Sequence, residues 1–333
     1  MSQITIIGAG SWGTALAIIA ARAGHKVTLW SRNAEVVSSI NSLHVNPRYL
    51  SSAQIPESVS ATGDHVSSVN NASLVLLAAP SHAARELLGA IKAGLGERSI
   101  VVSVAKGIEI DSGLRISEVV ADVLGEAFAE RFVCLSGPSF AKEVVENHPT
   151  AIVAASRNEQ SAKTIQAELS FSNLRIYTNK DVVGTELGGS VKNVMAIAAG
   201  MTSGLGYGSN SVAALITRGL AEITRLTLAE GGQIETLRGL AGLGDLVLTC
   251  TGNLSRNRFV GEQLGKGRQL DEITANMNEV AEGIKTSRAV KRLADKAGIE
   301  MPITNEVEAV LYRGKSAREA VTELMSRPLR AET

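Results

Sequence analysis

A glycine-rich turn close to the start of the chain constrains its fold more than any other feature. The segment "ITIIGAGSWGTALA" (4–17) places Gly8, Gly10 and Gly13 in the spacing G-x-G-x-x-G, directly after a short apolar run. In a strand–turn–helix unit, the first glycine makes the tight turn, the second lets the backbone approach a pyrophosphate, and the third lets the helix pack closely on the strand. A second β-rich run, "KVTLW" (26–30), follows. The pattern predicts a βαβ unit that binds a dinucleotide.

The first half of the chain alternates apolar, β-rich runs with amphipathic runs of helix length. Strands are predicted at 4–8, 26–30, 73–80, 99–107, 132–138 and 151–156. These runs are almost wholly apolar, as strands buried on both faces of a parallel sheet should be. Beyond about residue 180, long runs with helical spacing replace them. We therefore predict an α/β, Rossmann-like domain over residues 1–181 and an all-α domain over residues 182–333, joined by a tight turn or a continuing helix near residues 179–184.

Composition argues against several classes of partner. The chain has 33 basic and 33 acidic side chains, so no overall field attracts nucleic acid or an anionic membrane. Cys134 and Cys250 are far apart and form neither a disulfide framework nor a metal-ligand spacing, which favours a reducing, cytoplasmic setting. No run reaches the roughly 18 apolar residues of a membrane span. We expect a soluble protein without metal or nucleic acid, and the apolar helical half favours a homodimer.

The residue after the second predicted strand bears on the choice of dinucleotide. Enzymes that prefer NAD usually place Asp or Glu there, where the carboxylate accepts from the ribose 2′-hydroxyl. This chain has "WSRN" (30–33), with Arg32 at that position. A guanidinium attracts a 2′-phosphate, so we expect NADP(H) to be preferred, with NAD(H) possible. Two alternatives stay open: Arg32 is a solvated surface charge, or Glu35 serves the ribose.

Two lysines stand out as candidates for chemistry. Lys106 in "AKGIE" follows a strand, at the sheet edge where ligands of open α/β sheets bind. Lys192 lies beside Asn193 in a helix otherwise made of small and apolar residues, and burial there would lower its pKa enough for acid or base work. The alternatives are a surface lysine in a turn and a lysine that reaches solvent from a helix edge.

Two further segments offer partners for these lysines. Asp245 lies between glycine and apolar residues, and it can pair with Lys192 or hold a substrate hydroxyl. Ser255, Arg256 and Asn257 combine a guanidinium with two small polar donors, a set that suits a phosphate.

Nine motifs follow one another along the chain, as part of a similarity that extends from Ile4 to about residue 315. They are "IIGAGSWGTALA", "VTLWSRN", "NPRYL", "APSHA", "SVAKGIE", "LSGPSFAKEV", "ELGGSVKNVMAIAAGM", "GLGDLVLTCTGNLSRNRFVG" and "VAEGIKTSRAV". As an ordered set they closely resemble the bacterial-type NAD(P)-dependent glycerol-3-phosphate dehydrogenase family. The resemblance implies reversible hydride transfer between NAD(P)H and dihydroxyacetone phosphate, which gives sn-glycerol 3-phosphate for phospholipid synthesis. It also implies an active site between the two domains.

The resemblance and the glycine turn together assign roles by position. Cofactor positions are Gly8, Gly10, Ser11, Trp12, Gly13, Arg32, Tyr49, Lys106, Ala141, Arg256, Val280 and Glu282. Substrate positions are Lys106, Gly137, Ser139, Lys192, Asp245, Ser255, Arg256 and Asn257. Lys192 resembles the group that accepts the proton when the alcohol is oxidised. One departure affects Tyr49, because "SSAQIP" follows "NPRYL" where the family usually has a proline at once, and this leaves the role of Tyr49 open.

Two other functions compete with this interpretation. A related two-domain NAD(P)-dependent hydroxy-acid dehydrogenase shares the glycine turn and a Lys-Asn pair, but is not expected to carry "GDLVLTCTGNLSRN". A non-catalytic NADP(H) redox sensor needs only the first half of the chain and has no use for Lys106, Lys192 and Asp245 together.

Overall fold

The computed structural model describes residues 1–171, 173–275, 277, 281–329 and 331–332. Its strands are β1 Gln3–Ile7, β2 Lys26–Trp30, β3 Val45–Asn46, β4 Leu50–Gln54, β5 Val59–Thr62, β6 Leu74–Leu77, β7 Ile100–Ser103, β8 Val133–Ser136, β9 Thr150–Ala155 and β10 Leu174–Asn179. Its α-helices up to β10 are α1 Ser11–Arg22, α2 Ala34–Leu43, α3 His65–Ser68, α4 Ala84–Ile91, α5 Ile116–Leu124, α6 Glu126–Arg131, α7 Ala141–Val145 and α8 Glu159–Leu169. The remaining helices are α9 Val182–Gly204, α10 Ser209–Ala229, α11 Ile234–Arg238, α12 Asp245–Thr251, α13 Arg256–Gly265, α14 Leu270–Ala275, α15 Glu282–Ala297, α16 Pro302–Tyr312 and α17 Ala317–Met325.

Eight of these strands form one sheet, in the order β10-β9-β8-β7-β6-β1-β2-β5. Neighbours run parallel except β8 and β9, which pair antiparallel. The predicted Rossmann-like sheet followed by a helical half is confirmed. The carboxyl ends of β1, β6, β7 and β8 lie at one edge, so the turns that follow these strands meet there.

The sheet departs from the predicted parallel arrangement at β9, which pairs antiparallel with β8. The segment between β8 and β9 contains only the short helix α7, and it returns the chain antiparallel instead of carrying it across the sheet. Strand β10 was not predicted, because exposed Arg175 and Tyr177 alternate with buried residues and dilute its apolar pattern. Strands β3, β4 and β5 are also absent from the predicted strands, since they are short and partly polar.

Helix α9 forms the centre of the second half of the chain and is buried over most of its length. It crosses α13 so closely that glycine is required on both helices. A Cβ on Gly261 would lie 1.9 Å from the carbonyl oxygen of Ile197, and one on Gly200 would lie 2.0 Å from that of Arg258. This crossing fixes the N-terminus of α13 against the middle of α9.

A tight turn joins β10 to α9, within the predicted range. Asp181 caps α9, and its carboxylate accepts hydrogen bonds from the backbone N–H groups of Gly184 and Gln233, both at 2.8 Å. The division of the chain after residue 181 stays a prediction. No helix among the described residues is long and apolar enough to cross a membrane.

Candidate active site

The glycine turn leaves open space at the N-terminus of α1. Gly8 has a φ of +120°, and a Cβ there would lie 2.6 Å from the carbonyl oxygen of Ala78. A Cβ on Gly13 would lie 1.9 Å from the carbonyl oxygen of Gly8, so strand and helix are in contact at this point. A Cβ on Gly10, in contrast, would meet nothing within 4 Å. The turn therefore offers a helix N-terminus and room for a pyrophosphate, as its spacing predicts.

Lys106 and Lys192 bind the two oxygens of one carboxylate, that of Asp245. The Nζ of Lys192 lies 2.7 Å from Oδ1, and the Nζ of Lys106 lies 2.7 Å from Oδ2. Lys192 also donates to the hydroxyl of Thr249 at 2.6 Å, and that hydroxyl donates to the carbonyl oxygen of Asp245. The predicted pairing of Lys192 with Asp245 is confirmed, and the alternative of a lysine that reaches solvent is wrong because its side chain is only 5 % exposed.

Each of these ammonium groups keeps one donor for a ligand. An ammonium carries three N–H groups. Among the described residues, Lys192 uses two of them on Asp245 and Thr249, and Lys106 uses two on Asp245 and on the carbonyl oxygen of Gly137, at 2.8 Å. Both lysines line the cleft between the sheet edge and the helices. Two N–H donors are therefore available to one ligand atom in this cleft.

The surroundings of Lys192 lower its pKa toward neutral pH. Burial lowers the pKa of Lys192 from its usual 10.5 to about 8; the Asp245 carboxylate opposes this shift, and the positive charge of Lys106 adds to it. Asp245 is 1 % exposed, so its charge is screened little by water. A lysine with this pKa exchanges a proton with a bound oxygen far more readily than an exposed lysine does.

A pair of asparagines connects the cluster to three helices. Asn193, next to Lys192 on α9, donates to the carbonyl oxygen of Lys106 at 2.8 Å. Its own amide oxygen accepts from Asn257 on α13 at 3.0 Å. The amide oxygen of Asn257 in turn accepts from the backbone N–H of Gly283 on α15 at 2.9 Å. The side chain of Asn257 thus positions the helices, and among the described residues it keeps one amide N–H, besides its backbone N–H, for the expected contact with a phosphate.

The N-terminus of α13 opens into the same cleft. Ser255 caps this helix, and its Oγ accepts from the backbone N–H of Arg258 at 3.2 Å. The first N–H groups of a helix have no intrahelical partner, which is the arrangement that binds anions at helix ends, and Ser255 and Asn257 line the cleft at this point. Arg256 lines the cleft beside them. The predicted anion cradle thus lies in the cleft that contains the lysine pair.

The structure brings most of the remaining predicted residues to this cleft or its border. Trp12, Ser139 and Glu282 line it. Ser139 also donates to the carbonyl oxygen of Gly137 at 3.0 Å. Ala141 begins α7, which packs against α1. Val280 lies outside the described residues.

Three predicted cofactor positions, Ser11, Arg32 and Tyr49, lie in or next to the glycine turn, β2 and the segment before β4. The hydroxyl of Ser11 donates to the carbonyl oxygen of Tyr49 at 2.6 Å, which connects the glycine turn to the segment before β4. Arg32 follows β2 and is exposed. The contact of Tyr49 is thus made by its backbone, and the role of its ring stays open.

Sequence reasoning missed Thr249 and Ser81. Thr249 lies four residues after Asp245 on α12, so both side chains face the same way, and this spacing is a signal that was available. Ser81 follows β6, and its backbone N–H donates to the carboxylate of Glu282 at 3.0 Å. These two residues are 201 positions apart, and no local pattern connects them.

Two family models match the chain. The one described as NAD-dependent glycerol-3-phosphate dehydrogenase N-terminus matches residues 3–162. The one described as NAD-dependent glycerol-3-phosphate dehydrogenase C-terminus matches residues 181–322.

Individual proteins similar to the chain carry the same description. A glycerol-3-phosphate dehydrogenase [NAD(P)+] of Koribacter versatilis is 54% identical, over 100% of this chain and 99% of its own. One of Trichlorobacter lovleyi is 50% identical, over 99% of both chains. The crystal structure of glycerol-3-phosphate dehydrogenase from Coxiella burnetii superposes with a TM-score of 0.94 at 43% identity, over 98% of this chain and 99% of that one. A ketopantoate reductase from Ralstonia eutropha, at 16% identity and a TM-score of 0.61, shares the fold alone.

Proposed function

This chain belongs to the NAD-dependent glycerol-3-phosphate dehydrogenase family, and from that premise we propose how its residues divide the work. It is an NAD(P)-dependent oxidoreductase that reduces dihydroxyacetone phosphate to sn-glycerol 3-phosphate, a precursor of glycerophospholipids, and catalyses the reverse oxidation. The observation that carries the proposal is the buried Asp245, held by Lys106 on one side and Lys192 on the other. The hydroxy-acid dehydrogenase and the non-catalytic sensor are set aside.

The dinucleotide-binding residues fit the cofactor of this reaction. When bound, the nicotinamide supplies the hydride that adds to C2 of the substrate. Gly10 and the N-terminus of α1 would hold the pyrophosphate, since a Cβ on Gly10 would meet no protein atom within 4 Å. The residues proposed to contact the cofactor besides the glycines are Ser11, Trp12, Arg32, Tyr49, Lys106, Ala141, Arg256, Val280 and Glu282.

The substrate phosphate binds at the N-terminus of α13. Ser255 contributes its hydroxyl, Arg256 its guanidinium, and Asn257 its backbone N–H, and together they balance the negative charge. Gly137 and Ser139 line the other side of the carbon chain. Since the phosphate is fixed at one end, the C2 oxygen is held against the lysine pair, and this orientation contributes to the rate.

Lys192 transfers the proton. The remaining N–H donors of Lys106 and Lys192 polarise the C2 oxygen, and Lys192 gives its proton to that oxygen as the carbonyl is reduced. In the reverse direction the neutral amine of Lys192 accepts the proton of the alcohol. Asp245 and Thr249 hold the amine in place in both states, because their oxygens lie within 2.7 Å of its nitrogen.

One assay separates this activity from its competitors. We expect the purified protein to oxidise NADPH when dihydroxyacetone phosphate is added. A β-hydroxy-acid dehydrogenase would instead require a keto acid, and a sensor would bind NADPH without turnover. If dihydroxyacetone phosphate causes oxidation of neither NADPH nor NADH at several salt concentrations, the proposed function is overturned.

NADP(H) is the preferred cofactor in this proposal, because Arg32 stands where an NAD-specific site places a carboxylate. Arg32→Gln is expected to lower kcat/KM for NADPH about tenfold, as for loss of one hydrogen bond to a charged group, and to change kcat/KM for NADH less than about twofold. The exposed Arg157, changed in the same way, serves as the control. Equal losses with both cofactors in Arg32→Gln would show that Arg32 does not read the 2′-phosphate.

The assembly and the setting are also proposals. The helical half supplies the surface of a homodimer, for which exposed apolar residues such as Val247 and Phe259 are available. A reducing, cytoplasmic setting is supported by Cys134 and Cys250, which are both free and buried.

A further inference from the structure

The first turn of α15 is held against the loop that follows β6. The carboxylate of Glu282 accepts a hydrogen bond of 3.0 Å from the backbone N–H of Ser81. Gly107 lies between the two elements, since a Cβ there would be 2.3 Å from the hydroxyl of Ser81 and 3.2 Å from that of Thr286. These two contacts place the start of α15 beside the dinucleotide-binding half of the chain.

This arrangement brings Lys285 close to His82. Lys285 lies three residues after Glu282, one turn along α15 and on the same side of the helix. His82 directly follows Ser81. Loss of solvent around the ring lowers the pKa of His82; the positive charge of Lys285 lowers it further, Glu282 opposes the shift, and Arg32 contributes a smaller lowering. Strands β6, β1 and β2 are parallel neighbours, so His82 after β6 and Arg32 after β2 lie at the same edge of the sheet. The start of α15, with Lys285, is held against this edge by the contact between Glu282 and Ser81.

Both cations are available to a ligand. Arg32 and Lys285 are exposed, and within the described residues neither forms a hydrogen bond or an ion pair. Two other basic residues of α15 are held by protein groups. Lys291 pairs with Asp295 at 2.7 Å, and Arg288 lies 3.5 Å from the ring centre of Tyr312. In a chain of zero net charge, two unpaired cations around one histidine form a local anion site.

We propose that Lys285 is a second determinant of cofactor choice, which binds the 2′-phosphate of NADP(H) from α15 while Arg32 binds it from the end of β2. This inference rests on the proposed preference for NADP(H), and adds to it that the 2′-phosphate is shared between the two halves of the chain. A dianionic phosphate accepts from several donors at once, so a guanidinium and an ammonium bind it without competing.

The test compares two fragments that lack the nicotinamide. Adenosine 2′,5′-bisphosphate carries the 2′-phosphate and adenosine 5′-monophosphate does not, and both are titrated by calorimetry into the full chain. Lys285→Gln is expected to weaken binding of the bisphosphate about tenfold and that of the monophosphate less than about twofold. Lys285→Arg should restore most of the loss, and Lys285→Glu should weaken binding of the bisphosphate further. Lys296→Gln, at the far end of α15, is the matched control and should change neither affinity.

The outcomes separate this inference from the proposal on which it rests. If Arg32→Gln weakens the bisphosphate selectively and Lys285→Gln does not, the preference for NADP(H) stands and the role of Lys285 is overturned. If wild-type protein binds both fragments equally, the preference itself fails, and so does the inference. If Lys285→Gln weakens binding of both fragments equally, the effect comes from folding or overall charge, and the inference is also overturned.

Discussion

Replacing Lys192 with methionine is expected to lower kcat for reduction of dihydroxyacetone phosphate about 10³-fold, the range lost with a general acid. Methionine keeps most of the volume of the side chain, so the buried site stays filled. The dissociation constant for NADPH should change less than about twofold, because in the proposed mechanism Lys192 contacts the substrate and not the cofactor. Steady-state kinetics and a fluorescence titration of NADPH measure the two quantities.

The matched control is Lys266→Met. Lys266 is half exposed at the end of α13 and pairs with Glu262, so its loss should leave kcat unchanged. A thermal unfolding curve shows whether Lys192→Met is folded under the assay conditions. If folded Lys192→Met retains more than about a tenth of the wild-type kcat, the proton comes from another group.

Asp245→Asn is expected to lower kcat about 10²-fold, although Asp245 does not itself transfer the proton. The carboxylate attracts the proton of Lys192 and opposes the effect of burial on its pKa. Without that charge the pKa of Lys192 falls below about 8, so less of the lysine carries the proton that reduction needs. The buried Lys192 and the partly buried Lys106 also lose their shared partner, and the free energy of unfolding should fall by about 3 kcal/mol. Kinetics over a range of pH and urea unfolding test the two effects.

A positioning effect and a purely structural effect of Asp245→Asn can be told apart. At a pH well below the pKa of Lys192 in the variant, the lysine is protonated again, and part of the lost rate should return. The exposed Asp271, changed to asparagine, serves as the control for both measurements. A loss of rate that is the same at every pH would contradict the charge argument.

The sequence predicts the elements whose residues repeat strongly and misses those whose pattern is diluted. The apolar runs of β1, β6, β7 and β8 were found because both faces of these strands are buried. Strand β10 was not predicted because it lies at the sheet edge, where exposed side chains alternate with buried ones. The reversal of β9 depends on how the chain returns after α7, a long-range feature that local pattern does not encode.

The sequence likewise predicts some features of the candidate active site and not others. Lys192 and Asp245 were singled out because a charge in an apolar segment is unusual, and their pairing was predicted as one of two possibilities. That the same carboxylate also binds Lys106 was not predicted, since these residues are 139 positions apart. Thr249 could have been predicted from the sequence, because it lies one helical turn from Asp245. The contact between Ser81 and Glu282, which underlies the role proposed for Lys285, depends on how the two halves pack.

The pH dependence of the initial rate, measured in both directions, tests the central role of Lys192 most directly. Reduction of dihydroxyacetone phosphate requires protonated Lys192, so kcat should fall as the pH rises through about 8. Oxidation of sn-glycerol 3-phosphate requires the neutral amine, so its kcat should rise through the same pH. Both pH-dependent changes in kcat should be absent in Lys192→Met. The role of Lys192 in proton transfer would be contradicted if kcat changed with pH in the same sense for reduction and for oxidation, or if either change persisted in the variant.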